Sequence, residues 1–483
     1  MKIRLPFDHL QWPLRLILLS FLCGFPSRAI AQAILEVCES CDYTTIQDAV
    51  DAAPPDAEIR VAVGSYSVTR ISKSVRLMGG WSPEVTIRNV PRYVSRVEGG
   101  FVVESTSSRL GILIDGFTIA GGTRNQIRSE HRGYHGINAE AVNANIFVSN
   151  NKFEPRVESW LGDSAALIGT NGRVFFGGNE MGHRGGINII SSGGTVDWVR
   201  SHEGLAITHN VFRETESDSS HRSAIWVNEA KDGDLIAHNV IHKFKYGVRM
   251  QGREPTDTVQ IHHNHIIGST SAIVTGLVST DTRFNLIQNA ERYGIVHTGA
   301  TSAGRDAEHF LVQHNVVTGT GRGLPPNVNP VCAIALGGLR EQRDTPVPTA
   351  LISENIFTDG VHGVCIANLP QHLPFNPFTV RRNVLYGNQT PVYFTGEYDQ
   401  FTRLITERIL TEVAMESLEN FTENVVEDPM FIDEPNGDVH LNELSFLIDE
   451  GTPERDVGAE PAPHGDLINL SLIHISEPTR PVM

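Results

Sequence analysis

Three stretches in the middle of the chain read ITHNVF (207–212), IAHNVI (236–241) and IHHNHI (261–266). Each stretch has an apolar residue three positions before an asparagine and another two positions after it. Seven further segments share this form, and only Thr282 breaks its apolar rule. The asparagines at the centres of the ten segments are Asn151, Asn179, Asn210, Asn239, Asn264, Asn285, Asn315, Asn355, Asn383 and Asn424.

The spacing of these asparagines indicates a repeat architecture. Successive asparagines are 21 to 41 residues apart, and most intervals lie between 21 and 31. This period is typical of one coil of a β-solenoid. Asparagine tolerates the left-handed backbone that a tight turn between strands requires. We therefore expect the asparagines to occupy the turns, in one row along the axis, with buried amides bonded from coil to coil.

A second signal follows each asparagine by about eight residues and consists of a small residue and then an apolar one. We interpret it as the next strand of each coil. An α-solenoid would show a 3.6-residue apolar period, which is absent. A propeller would need four strands in each repeat of about 40 residues. Examples of the signal are Gly186-Ile187, Gly247-Val248, Ala272-Ile273, Gly294-Ile295 and Gly363-Val364.

The first 31 residues have the form of an export signal. Basic residues precede an apolar run at 16–25, which is too short to span a membrane, and Ala29-Ile30-Ala31 fits the small-x-small rule for cleavage. We expect a protein that is secreted, or held at the cell surface or in the periplasm, with no transmembrane segment in the mature chain.

Export makes disulfides possible for the four cysteines that follow the signal. Cys38 and Cys41 form a lone C-x-x-C. A zinc site would need a second pair of ligands nearby, and none is evident. We predict a local disulfide between Cys38 and Cys41.

The two ends of the mature chain differ from its middle. Residues 43–54 (YTTIQDAVDAAP) predict an amphipathic helix, capped by Thr44 or Thr45, that closes the core. We divide the mature chain into an N-terminal cap with the first coils (32–80), a β-helix (81–461) and a tail (462–483). Within the tail, LSLIHISEPTR (470–480) matches the translation of a transposase sequencing adapter, so we predict that 470–483 is not native sequence.

The opening and the ending resemble a known family. YTTIQDAVDAAPPDAEIRVAVGSY (43–66) and ISKSVRLMGG (71–80) resemble the start of bacterial secreted β-helix proteins of the pectin-lyase-like superfamily. EDPMFIDEPNGDVHLNELSFLIDEGT (427–452) resembles their last coils. The resemblance implies a right-handed parallel β-helix with a short capping helix. It leaves the activity open, because lyases, esterases, epimerases, hydrolases and adhesins share this scaffold.

Two short motifs resemble catalytic motifs within that superfamily. Residues 194–199 (GTVDWV) are similar to the GTVDF of pectinesterases, but the second aspartate and the arginine segment of those enzymes are not found. Residues 182–185 (GHRG) are similar to the Gly-His-Gly of polygalacturonases, but the paired aspartates that such chemistry needs do not precede them. We therefore interpret Asp197 as a residue of the coil surface.

The acidic net charge of the chain limits which polyanionic partners it can bind. The net charge is −17, and the mature chain is more acidic still because the predicted signal is basic. Nucleic-acid binding needs a basic footprint, so we expect no nucleic-acid partner. A polyanionic sugar would need a local basic patch or a calcium ion.

Histidine precedes the repeated asparagine in four segments, as His209, His238, His263 and His314. The first three lie on consecutive coils, where imidazoles could stack or share a metal ion. A straight row converges poorly on one ion, so we favour turn residues that stack without binding a metal.

The strand after the small-apolar signal predicts a polar strip. Alternation from the inward Ile or Val, on coils taken as successive, places seven side chains outward: Asn138, Glu140, Asn188, Trp226, Asn228, Arg249 and Gln251. Trp226 offers a stacking surface for a sugar, and Arg249 offers a fork for a carboxylate. Glu140 or Asn228 could hydrogen-bond or hold Ca²⁺. In a lyase, Arg249 would neutralise the uronate, and Lys231 or His183 would act as base.

The leading hypothesis is a monomeric, secreted, carbohydrate-directed β-helix that binds or cleaves an acidic polysaccharide. The alternative is a non-catalytic surface or structural β-helix, such as an adhesin. The sequence does not decide whether the protein is an enzyme.

Overall fold

A computed structural model gives the fold of this chain. The predicted signal, the tail, His183 and Asp197 lie outside the residues that it describes. The described residues are 32–104, 106, 108–121, 123–124, 134–154, 164–182, 186–190, 202–213, 223–252, 257–276, 278–298, 309–322, 331–336, 349–367, 378–395, 408–410, 421–434, 438–442, 445 and 447.

In this part of the chain the strands form three long sheets, numbered here in the order in which a coil crosses them. Sheet 1 contains Ile34–Val37, Ala57–Ala62, Val75–Trp81, Leu110–Asp115, Ala144–Ser149, Arg173–Gly177, Gly204–Thr208, Leu235–Ala237, Thr258–His262, Ser279–Arg283, His309–Gln313, Thr349–Ser353, Phe378–Arg381 and Phe421–Thr422. Sheet 2 contains Gly64–Tyr66, Ser95–Glu98, Phe117–Ala120, Lys152–Glu154, Glu180–Met181, Val211–Arg213, Val240–His242, His265–Ile267, Leu286–Gln288, Val316–Thr318 and Ile356–Thr358. Sheet 3 contains Thr69–Ile71, Phe101–Val103, Thr123–Arg124, Tyr134–Val142, Ser164–Thr170, Ile187–Ile189, Ser223–Ala230, Tyr246–Gly252, Ser271–Gly276, Tyr293–His297, Cys332–Leu336, His362–Ala367, Thr390–Thr395 and Arg408–Leu410.

Strand pairing in the three sheets is parallel, except for two short strands of sheet 3. Thr123–Arg124 and Arg408–Leu410 pair antiparallel with their neighbours. A separate antiparallel hairpin joins Phe431–Asp433 to Asp438–Leu441. Neighbouring strands of a sheet belong to neighbouring coils, so the chain winds through sheets 1, 2 and 3 and returns to sheet 1.

The apolar positions of the repeat build the core of this winding. Ile236, Ile241 and Val248, one from each sheet, are fully buried and belong to one continuous cluster. Each pairs with the equivalent residue of the next coil, as Ile236 does with Ile261. The chain is therefore a parallel β-helix, as the repeat predicted. Its right-handed sense stays a prediction.

The repeated asparagines form one row between sheets 1 and 2, as predicted. The side-chain Nδ2 of each of the first nine donates to Oδ1 of the asparagine one coil on, at 2.9–3.1 Å. The backbone N–H of Asn239 also donates to Oδ1 of Asn264, and its Nδ2 donates to the carbonyl of Ile207. All of these asparagines except Asn424 are at most 2% exposed, so the amides replace the backbone ladder where the chain turns.

The left-handed residue of each turn is not the asparagine, so that part of the prediction is wrong. The residue just before it takes positive φ, between 53° and 67°, in all ten repeats. Because the residue before it takes the left-handed conformation, the asparagine can point its side-chain amide into the interior of the β-helix. Histidine is among the residues that adopt this conformation more readily, which accounts for its recurrence there. The ten residues are Asn150, Gly178, His209, His238, His263, Phe284, His314, Glu354, Arg382 and Glu423.

The cap and the predicted disulfide are confirmed. The helix spans Ile46–Ala52, and the Thr45 hydroxyl accepts the backbone N–H of Asp48. Ile46, Ala49 and Val50 are buried against the first strands. Cys38 is bonded to Cys41, and a second disulfide joins Cys332 to Cys365. Within the described residues, no helix has the length and apolar character needed to cross a membrane.

Replacing Asn239 by Leu removes the acceptor for the N–H and Nδ2 of Asn210 and the donor to Ile207. We expect the free energy of unfolding to fall by about 1–3 kcal/mol, measured by chemical denaturation. Gln260→Leu changes an exposed residue of the next coil and should stay within about 0.5 kcal/mol of wild type. Equal stability of the Asn239 variant and wild type would contradict a structural role for the row.

The positive φ of His209 can be tested at that one position. His209→Val and His209→Asn both remove the imidazole, but only Val has a β-branched side chain that clashes in the left-handed conformation. We expect the Val variant to be less stable than the Asn variant by about 1–2 kcal/mol in the same denaturation measurement. Indistinguishable midpoints would show that this turn carries no such constraint.

Candidate functional site

The predicted strip lies on the outer surface of sheet 3. Ile187 pairs with Ile225 and Ile225 with Val248, and all three are fully buried. The residues that follow them, Asn188, Trp226 and Arg249, pair in the next row and are half-buried. They therefore point outward on three successive coils, about 4.8 Å apart. The predicted register is confirmed. We call Asn188, Trp226, Asn228, Tyr246, Arg249 and Gln251 the outer strip.

A small residue before each inward apolar residue sets this register. A Cβ added at Gly247 would lie 2.6 Å from the carbonyl oxygen of Ala272 and 2.9 Å from Cγ2 of Ile266. A larger side chain would push the coils apart at the corner between sheets 2 and 3. Gly247 thus brings Val248 into the core and leaves Arg249 on the surface.

Arg249 is held by two aromatic rings. Its Cζ lies 5.5 Å from the ring centroid of Trp226, one coil before, and 5.4 Å from that of Tyr246 on its own strand. The negative faces of the rings attract the guanidinium. A guanidinium that stacks uses its face, so its in-plane N–H donors stay available for hydrogen bonds. The strip thus presents a positioned cation on an apolar support.

Two further cations repeat this arrangement along the axis. Lys245 Nζ lies 5.4 Å from the ring centroid of Tyr246, and Arg292 Cζ lies 5.2 Å from that of Tyr293. Tyr246 and Tyr293 belong to one row, two coils apart. Lys245, Arg249 and Arg292 therefore form a local basic patch on a chain of net charge −17. This is the kind of patch that an acidic ligand would require.

Asn138 is not a neighbour of Asn188, so the assignment of the two to successive coils is wrong. The strand Ser164–Thr170 lies between them, and Leu167 occupies the intervening position. The signal for that strand is Ala165-Ala166, in which both residues are small, and nine residues separate the strand from the sheet 2 strand before it. Leu167 is 1% exposed and separates Asn138 from the polar part of the row.

Of the other residues predicted for the site, those that the structure describes lie farther from the Trp226–Arg249 pair. Asn228 and Gln251 pair with each other and are half-buried, two residues beyond Trp226 and Arg249. Lys231 lies beyond the end of its strand, about 15 Å along the chain from Trp226. Its backbone N–H donates to Asp234. The side chain of Glu140, like His183, lies outside the described residues. The catalytic roles of Arg249, Glu140 and Lys231 stay predictions.

The sequence reasoning missed Tyr246, Lys245 and Glu229. A signal was present for the first two, because KYGV (245–248) and RYGI (292–295) repeat one basic-Tyr-Gly-apolar pattern. Glu229 sits at a bulge, with φ 68°, where the register shifts between Asn228 and Ala230. The bulge adds a half-buried carboxylate beside Asn228, and no periodic pattern would have indicated it.

The polar part of the central row is bounded on both sides. Leu167 precedes Asn188, and Val274 follows Arg249. Val274 packs against an apolar cluster on the outer face of sheet 3 that includes the disulfide cysteines: Tyr293, Val296, Cys332, Ala335, Cys365 and Tyr393. The row is therefore polar over three coils, a length that suits a few sugar residues.

No protein-family model matches this chain, and no curated protein matches its sequence. Two solved structures are similar in fold. The surface adhesin PfbA of Streptococcus pneumoniae has 13% identity and a TM-score of 0.45, over 78% of this chain and 95% of its own. The PL6 family alginate lyase AlyGC has 10% identity and a TM-score of 0.38, over 82% of this chain and 54% of its own. We draw nothing about function from either likeness.

A double-mutant cycle tests the stacking in the outer strip. Trp226→Ala, Arg249→Ala and the double variant should give a coupling energy of about 0.5–1 kcal/mol in unfolding free energy, because each single change already removes the cation–π contact. Additive effects, with a coupling of zero within error, would mean that the ring and the guanidinium do not interact.

Proposed function

We propose that the protein acts outside the cell and binds an acidic polysaccharide along the outer strip, as a monomer. The observation that carries this proposal is the line of cations held against aromatic rings, Lys245 and Arg249 on one coil and Arg292 two coils on. Half-buried basic groups supported by aromatic rings and repeated at coil spacing suit a ligand that is itself a repeating chain of charged rings.

The stacking geometry assigns different tasks to the two central side chains. One face of Trp226 is covered by Arg249. A pyranose ring would stack on the opposite face, towards Asn188, whose side chain is short. The planar fork of Arg249 would take a uronate carboxylate through two parallel hydrogen bonds. Asn188, Asn228 and Gln251 would bond to hydroxyl groups.

Coil spacing supports an orientation along the helix axis. Neighbouring coils are about 4.8 Å apart, so Arg249 and Arg292 are about 10 Å apart along the axis. Two coils are then comparable in length to two sugar residues. A polyuronate lying along the axis would meet a cation at every second residue.

A more specific form of this proposal is that the protein also cleaves the polysaccharide it binds. In a lyase, Arg249 would neutralise the uronate carboxylate so that the C5 proton becomes acidic. A base would remove that proton as the double bond forms between C4 and C5 and the C4–O glycosidic bond breaks, and the departing sugar oxygen would take up a proton. Lys231 stands about 15 Å along the strand from Trp226, so it would need a substrate that extends to the corner with sheet 1. His183 is the other candidate base, and Glu140 would hydrogen-bond to the substrate or hold Ca²⁺.

The proposal predicts which substitutions weaken binding. Trp226→Ala and Arg249→Ala should each reduce affinity for polygalacturonate or alginate roughly tenfold, with thermal stability nearly unchanged. Arg249→Lys keeps the charge but not the fork and should bind between wild type and Arg249→Ala. Arg213→Gln removes a cation from an exposed position on sheet 2 and serves as the matched control. Isothermal titration with oligosaccharides gives the dissociation constants.

A panel of polysaccharides separates the possible outcomes. Unsaturated-uronate absorbance together with binding would establish a lyase, whereas binding without new absorbance or reducing ends would establish a binding module. Equal affinity of wild type and the strip variants, or no affinity for any acidic polymer, would overturn the proposal and favour a non-catalytic surface β-helix.

A further inference from the structure

A second cluster of chemically reactive side chains lies away from the outer strip, at the corner between sheets 1 and 2. The imidazoles of His209, His238 and His263 stack there on consecutive coils, with ring centroids 4.7 and 4.8 Å apart. Phe284 and His314 continue the stack at 5.1 Å steps. Parallel rings in one line do not converge on a point, so this row alone carries no metal site.

His262 supplies the convergence that the row lacks. It ends the strand Thr258–His262 and pairs with Ala237, the residue just before His238. Its ring stands at 86° to those of both His238 and His263, with centroids 5.9 and 5.0 Å away. Nδ1 of His262 lies 2.9 Å from Nδ1 of His263. An imidazole thus faces the edges of two stacked neighbours.

We propose that His238, His262 and His263 bind a divalent transition-metal ion, Cu²⁺ or Zn²⁺. One ring nitrogen from each residue lies within 4.8 Å of the other two, and no further group of this kind occurs in the described part of the chain. Two nitrogens at about 2.05 Å from a common ion are about 2.9 Å apart at a right angle and about 3.3 Å apart at a tetrahedral angle. The His262–His263 pair already has this spacing, and binding would draw in His238, whose ring nitrogen lies within 4.8 Å of the other two. Imidazole is a ligand that suits both ions.

His238 is exposed to solvent, which gives an ion access to the three rings from outside. Imidazole binds a metal ion in its neutral form, so binding requires the rings to be deprotonated.

The test uses untagged, chelator-stripped full-length protein, titrated with Zn²⁺ by calorimetry and with Cu²⁺ followed by electron paramagnetic resonance. We expect one ion per chain and superhyperfine lines from nitrogen ligands. His238→Asn, His262→Gln and His263→Asn should each weaken binding at least tenfold and reduce the number of coupled nitrogens. Asn is chosen at 238 and 263 because it tolerates the left-handed backbone there.

His314→Asn is the matched control, because it removes an imidazole at the same turn position, beyond Phe284 and outside the cluster. It should bind as wild type does, and thermal denaturation of every variant checks that the fold is intact. Absence of binding by the wild-type protein, or equal loss in His314→Asn and the cluster variants, would overturn the proposal.

Discussion

The hydrogen bond from one asparagine amide to the next is the interaction on which the geometry of this chain depends. At the corner between sheets 1 and 2 the backbone reverses and cannot continue the ladder of the flanking strands. The side-chain Oδ1 of each asparagine accepts the backbone N–H of the asparagine one coil before it. Its Nδ2 donates to Oδ1 of the asparagine on the following coil. Because these groups are buried, a shift of one coil relative to another would leave several of them unpaired.

The buried row aligns neighbouring coils at the corner between sheets 1 and 2. His209, His238 and His263 each stand one position before an asparagine, so their rings stack along the axis. On sheet 3 the intervening chain differs in length, because Trp226 follows Asn210 by 16 residues and Arg249 follows Asn239 by 10. There the inward Ile225 and Val248, each preceded by a small residue, set the register that brings Trp226 and Arg249 together. Groups that are 20 to 30 residues apart in sequence thereby come within about 5 Å of each other.

Further along the turn row the stack changes from aromatic to charged. His314 contacts Glu354, and Arg382 lies near both Glu354 and Glu423. These residues occupy consecutive turn positions with positive φ. The same turn position thus carries a stack of aromatic rings in one part of the chain and a row of ion pairs in another. Among the described residues, converging ring nitrogens occur only where His262 stands perpendicular to the histidine stack.

Much of this architecture could be predicted from sequence, because a buried asparagine between apolar residues has few alternatives. The parallel β-helix follows from that pattern, the capping helix from the amphipathic stretch 43–54, and the Trp226–Arg249 register from the small-apolar signal. The left-handed residue was misplaced by one position, because asparagine and histidine both tolerate that backbone. Asn138 was misplaced because Ala165-Ala166 barely differs from its surroundings. The roles of Glu229 and His262 were not predicted, because neither a β-bulge nor the orientation of a side-chain ring produces a periodic pattern in the sequence.

The central claim is that the fixed coil register creates a binding strip on sheet 3. A crystal structure of the protein with a uronate oligosaccharide tests it most directly. We predict an oligosaccharide parallel to the helix axis, with one carboxylate on the guanidinium of Arg249 and one ring against the face of Trp226 nearer Asn188. An oligosaccharide bound at another face, or lying across the coils in the direction of the strands, would contradict it.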